Sequence, residues 1–257
     1  MNTAALRPSA PSLPPVVAAA LWRADQLGSP PAQIHASGFA ALDAVLPGGG
    51  WPCQGLTEIL SPHGGTVEWR LLGPLLRQIG ATGRRLVLVG PPQPPHPPGL
   101  RAIGVDERQL VWVQADTPAE RLWATEQLLR GRAFGVLVAW LPRARAPEIR
   151  RLQVLAAAGD APVFLCRPAM AAREASAAPL RLRVCPDSGW TLRVELLKRK
   201  GPPLTAPLVL SAVPGGLSAV LAPRLLESGL PALPERENSH ALAGAAAFPD
   251  RRPSLSH

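Results

Sequence analysis

Ser61-Pro62-His63-Gly64-Gly65-Thr66-Val67-Glu68 lies between a strand-like run, Leu56 to Leu60, and a helix-like stretch, Trp69 to Ile79. A phosphate-binding loop belongs at such a junction. A working loop of the G-x-x-x-x-G-K-S/T pattern closes backbone N–H groups on phosphate, adds a Lys for the outer phosphates and supplies a hydroxyl for magnesium. Counted without gaps, those places hold Ser61, Thr66, Val67 and Glu68. Val67 removes the cation, and a Glu68 carboxylate about 4 Å from a phosphate costs about 4 kcal/mol at an effective dielectric near 20. The loop is expected to survive as a shape without its nucleotide, so the chain is expected to have no catalytic residues, no bound cofactor and no metal. Gly64 and Gly65 suit a tight turn with positive φ, and His63 suits a surface position or a phosphate cap.

The remaining chemistry is mostly cationic. Cys53, Cys166 and Cys185 stand singly, with no C-x-x-C spacing, and read as small core residues rather than as disulfides or ligands. Of 27 basic residues, all but Lys198 and Lys200 are Arg, and the net charge is +9. Residues 1 to 20 carry only Arg7, and residues 223 to 257 balance four Arg against four acids, so the positive charge belongs to the middle of the chain. Contact with a polyanion requires such a surplus. The bland alternative is a GC-biased coding sequence rich in Ala, Pro and Arg. Among the Trp residues, Trp22 is the expected exposed contact for a protein partner, the others being core or interface anchors.

These residues need a scaffold, and the pattern supplies an α/β one. Helix is expected over Val16 to Leu27, Trp69 to Ile79 and 147 to 158, with a further helix opening at the N-cap Thr117 and Pro118. Strands are expected at Leu56 to Leu60, Arg85 to Gly90, Gln109 to Val113, Phe134 to Trp140 and Val163 to Cys166, with a strand pair at Leu180 to Cys185 and Trp190 to Leu197. Their alternation implies a mostly parallel twisted sheet covered by helices. The domain reading is a Pro/Ala-rich disordered start over 1–15, a helix and linker over 16–34, a core over 35–222 and a disordered tail over 223–257. Met1 to Ala20 lacks the charged and apolar regions of a signal peptide, and no apolar run is long enough to span a bilayer, so a cytoplasmic location is expected.

The run from His35 to Ile59, with Gly48-Gly49-Gly50 before Trp51, resembles the segment of RecA-type recombinases that leads into their phosphate loop. The resemblance continues through Ile103-Gly104-Val105-Asp106, Asp116-Thr117 and Arg193 to Lys200, and covers about residues 35 to 211. It implies a RecA-like core with a degenerate phosphate loop. It also implies that Lys198 and Lys200 match lysines that reach across a subunit interface. Arg143, Arg145, Arg150 and Arg151 would surround a shortened first DNA loop, and Arg167 and Arg173 would flank a second, which makes Arg143, Arg145, Arg167 and Arg173 the candidate nucleic-acid contacts. Departures from the family are specific: Trp140 stands where the magnesium-linked Asp belongs, and Ala119, with Glu120 one residue late, where the catalytic Glu belongs. A RecA-like core without those residues is similar to the ImuA family of accessory proteins for damage-inducible translesion synthesis. That resemblance implies as partners an ImuB-like inactive polymerase homologue, an error-prone replicative-type polymerase subunit, and RecA or a second copy, with DNA contact in addition. SulA-type inhibitors of cell-division polymerisation share the degenerate core and are the alternative. A DNA-dependent ATPase with substituted residues is the enzymatic one.

Overall fold

The computed structural model describes residues 33–204, 206–215 and 217. A short antiparallel ribbon, β1 (Ile34–His35) with β2 (Trp51–Pro52), brackets the one-turn helix α1 (Ala40–Asp43). Then follow β3 (Leu56–Ser61), α2 (Val67–Ala81), β4 (Leu86–Val89), α3 (Pro97–Ala102), β5 (Leu110–Val113), α4 (Pro118–Gly131), β6 (Val136–Trp140), α5 (Ala146–Ala157) and β7 (Val163–Pro168). β8 (Leu180–Pro186), β9 (Thr191–Lys198) and β10 (Leu208–Ser211) complete the order.

One sheet holds the strands in the order β10-β9-β8-β3-β7-β6-β4-β5. From β8 to β5 every pairing is parallel, whereas β8 with β9 and β9 with β10 are antiparallel. This is the mostly parallel α/β sheet that the alternation of elements implies, and it is consistent with the RecA-like core that the resemblance implies. The central strands are apolar on both faces because both faces are covered: Ile59, Phe164, Val138 and Leu88 pack with α2, and Leu56, Leu165, Leu137 and Val89 pack on the α4 and α5 side. At the antiparallel end the apolar burial is on the α2 side, through Leu182, Val184, Val194 and Leu196. The other side carries charge, with Arg183 directly opposite Glu195 and paired to it at 2.8 Å.

α2 begins two residues earlier than its apolar periodicity suggests, with Thr66 as N-cap, and seats Val67, Leu71, Leu72, Leu75, Leu76 and Ile79 in the core. It carries Pro74 in its interior, and Gly38 meets that ring closely. Gly38 has φ +85°, and a Cβ there would stand 2.3 Å from Pro74 Cβ, so only glycine fits. Thr117 caps α4 as expected, and Glu120 reaches back to the Thr117 N–H at 3.0 Å to complete a capping box. β10, the β1–β2 ribbon and α3 are additions to the expected element list. The expected disordered start, the helix Val16 to Leu27 and the tail 223–257 lie outside the described residues. Among the described residues no helix is long and apolar enough to cross a membrane.

Candidate functional site

β3 delivers the loop 62–66 to the amino terminus of α2, so the chain does build a phosphate-loop geometry at the carboxyl end of a central strand. Gly65 turns it with φ +91°, and a Cβ there would come within 2.8 Å of Pro92 Cγ, so the Pro-rich loop after β4 rests directly on it. The Lys position, Val67, points inward and is part of the core. The hydroxyl position, Glu68, is buried as well, and its carboxylate accepts from Gly65 N–H at 2.8 Å and from Ser61 Oγ at 3.0 Å. An internal anion therefore takes the loop N–H that such a loop offers to phosphate. It sits in the first turn of α2, where the helix end favours negative charge.

Trp140 closes the same space. It ends β6, is paired in register with Cys166 of β7 and packs near Trp69 with ring centroids 6.1 Å apart. A Cβ built on Gly64 would lie 3.7 Å from Trp140 Cδ1 and 3.8 Å from Glu68 Oε1, so indole and carboxylate line one wall of the loop. Burial, and secondarily the Glu68 charge, push the Cys166 thiol well above its ordinary range, which makes it an inert neighbour. The Cys53 thiol is likewise pushed up to about 11 by burial. Glu120, one residue past the expected catalytic position, spends its carboxylate on the N–H groups of Asp116 and Thr117. Residues that would bind a triphosphate and magnesium do not fit that group here: the cation is replaced by core, the hydroxyl by a committed carboxylate and the metal-linked Asp by an indole. His63 is exposed.

The arginine set divides. Arg143, Arg145 and Arg173 are exposed, and among the described residues none has a carboxylate partner. Arg167 is not a surface cation, contrary to its expected role at nucleic acid. Its side chain is 1% exposed and bonds Glu58 at 2.9 Å, Glu174 at 2.6 Å and the Ala144 carbonyl at 2.8 Å. The reason is register: Arg167 lies on the α5 side of β7, beside the fully buried Glu58 of β3, which also binds Arg181 of β8. Arg181 in turn donates to the Ala171 carbonyl at 2.8 Å. This ionic cluster ties the turn at 169–173 to the sheet. A Glu inside the apolar run Leu56 to Leu60 was the sequence signal for it, since a buried carboxylate needs cationic or N–H partners.

Of the residues expected at a protein interface, Lys198 and Lys200 are exposed at the end of β9, and Lys198 donates to the Ser176 carbonyl at 3.0 Å. Trp22 lies outside the described residues. The structure thus brings Ser61, Gly64, Gly65, Val67 and Glu68 together with Trp140, and buries Arg167 against the Ala144 carbonyl while the neighbouring Arg143 and Arg145 stay exposed.

No protein-family model matches the chain. It is similar to the cell division inhibitor SulA of Edwardsiella piscicida, with 33% identity over 109 residues, 42% of this chain and 65% of that protein. SulA of Photorhabdus laumondii is 30% identical over 112 residues, 44% of this chain and 63% of the relative. SulA of Yersinia pestis is 27% identical over 113 residues, with 44% and 67% covered. The match thus spans a little under two thirds of the first two relatives, and the chain's relation to proteins named SulA rests on that shared stretch.

Proposed function

We propose that this chain acts in a DNA-damage response by docking, without nucleotide turnover, as a SulA-like inhibitor of cell-division polymerisation. The observation that carries the absence of turnover is the Glu68 carboxylate bonded to Gly65 and Ser61 inside the loop. The similarity to SulA proteins supports the division-inhibitor reading. A protein whose loop cannot exchange an anion has no ligand with which to switch states, and its binding surfaces stay in one conformation. Its effect is then stoichiometric, by occupying a partner's surface.

A second reading, an ImuA-like adaptor for an ImuB-like protein and an error-prone polymerase subunit, rests on the sequence resemblance alone, and the SulA matches cover 42% to 44% of this chain. Exposed Lys198, Lys200, Arg143, Arg145 and Arg173 would serve partner or DNA contact in that role. Expression of the full chain in an undamaged rod-shaped bacterium separates the readings. Division inhibition predicts filamentous cells in proportion to protein level; cells of normal length, with damage-induced mutation lost on deletion of the gene, would replace it by the adaptor reading. In either case calorimetric titration with ATP and magnesium is expected to be silent, and a dissociation constant of about 1 μM, or about −8 kcal/mol, would sink the non-catalytic assignment.

A further inference from the structure

Trp123 of α4 is 65% exposed and Val154 of α5 is 67% exposed. The inward stripe of α4 runs through Leu122, Thr125 and Leu129, so Trp123 points away from the core. Glu126 and Arg151 join the two helices, with Glu126 Oε1 accepting from Arg151 Nη2 at 2.7 Å and from its Nε at 3.1 Å. Trp123 precedes Glu126 by three residues and Val154 follows Arg151 by three, and residues three apart share a helix face. Indole and isopropyl groups therefore flank the ion pair on one outward surface. α2 and its loop pack on the opposite face of the sheet.

Charge around this surface is one-sided. Residues 118–158 hold seven Arg against three Glu. All three carboxylates are engaged: Glu120 with the α4 cap, Glu126 with Arg151, and Glu148 with the Arg145 N–H at 2.7 Å. Among the described residues Arg130, Arg132 and Arg150 are exposed without an acidic partner.

We infer that the α4–α5 surface is a docking face for an acidic, amphipathic segment of another protein, with Trp123 as its anchor. An exposed Trp with a cationic rim is the composition of an interface centre, where indole burial supplies affinity and rim charge supplies orientation and on-rate. Charge excludes the nearer occupants. A second copy carries +9 and would bring like charge. Residues 1–32 contain two Arg and one Asp, and residues 218–257 four Arg and four acids, so neither supplies a negative surplus. Nucleic acid is disfavoured because the face is centred on two exposed apolar side chains, Trp123 and Val154, and the aliphatic Val154 is covered by an apolar helix face and not by a phosphate backbone. The inference concerns a surface and holds for either role considered above.

The test uses the full chain and a displayed library of helical peptides whose net charge runs from strongly acidic to strongly basic. Recovered binders are expected to be acidic with one apolar face. Their affinity should fall about 30-fold for Trp123→Ala, fall again for the pair Arg130→Glu and Arg150→Glu, and weaken as salt rises. Both variants are expected to melt with the parent, since the changed side chains are exposed. Neutral or basic binders, no binders, binders indifferent to Trp123→Ala and to the charge reversals, or oligothymidine binding with that same Trp123 dependence would each overturn the inference.

Discussion

Val67 and Glu68 carry the loop's fate through opposite kinds of burial. Val67 is apolar and 2% exposed, so Val67→Lys restores a motif letter only by placing an ammonium in the core. It is expected to lower stability by at least about 2 kcal/mol and to leave ATP titration silent. Glu68→Ala strips the acceptor from Gly65 N–H and Ser61 Oγ and should cost about 1–3 kcal/mol. Urea midpoints for both variants check this; a Val67→Lys protein as stable as the parent would mean that the side chain escapes to solvent and that the loop is looser than its contacts imply. Sequence counting found these two substitutions because they replace specific groups at fixed spacing. It did not find that Glu68 turns back onto the loop, which needs Gly65 in a positive-φ turn pressed by Pro92, a residue 27 positions away.

Elements were legible where a period had a single solution. The strands from Leu56 to Trp140 and the capped helix at Thr117 follow from apolar runs and a Thr-Pro start, each readable locally. Arg167 was misplaced because a strand's alternation decides which face a side chain takes but not whether that face is covered; the guanidinium groups there are met by Ala144 after β6 and Glu174, both bonded by Arg167, and by Ala171, bonded by Arg181. Trp123 could have been picked out, since it falls off the Leu122, Thr125, Leu129 stripe. The ionic cluster at β3, β7 and β8 makes its own prediction. Glu58→Leu would leave two buried guanidinium groups uncompensated and is expected to cost about 3–5 kcal/mol, whereas replacing Glu58, Arg167 and Arg181 together by apolar residues should recover most of it. Thermal unfolding of the single and triple variants decides; a harmless Glu58→Leu would show that water or Glu174 already satisfies both cations.

For the whole molecule the surplus of positive charge sets how it meets polyanions. Exposed Arg143, Arg145 and Arg173 lie in loops and turns at the carboxyl ends of β6 and β7. Any DNA binding there should be independent of sequence and should weaken steeply with salt, and alanine at all three should flatten the slope of log affinity against log salt by about three contacts. Alanine at Arg7, Arg236, Arg251 and Arg252 is the control; equal loss from both sets would assign the effect to bulk charge. The closed loop has its own consequence for how such a protein is governed. Glu68 is tethered one turn from the N–H it holds, at an effective concentration in the range of mM or above, so a competing anion is expected to displace it only at a comparable or higher concentration. A molecule carrying its own permanent effector has no off state to which it can relax. On the proposed reading, output would then follow the number of copies made and destroyed, and the stability of the fold, through the lifetime of each copy, would become the regulatory parameter.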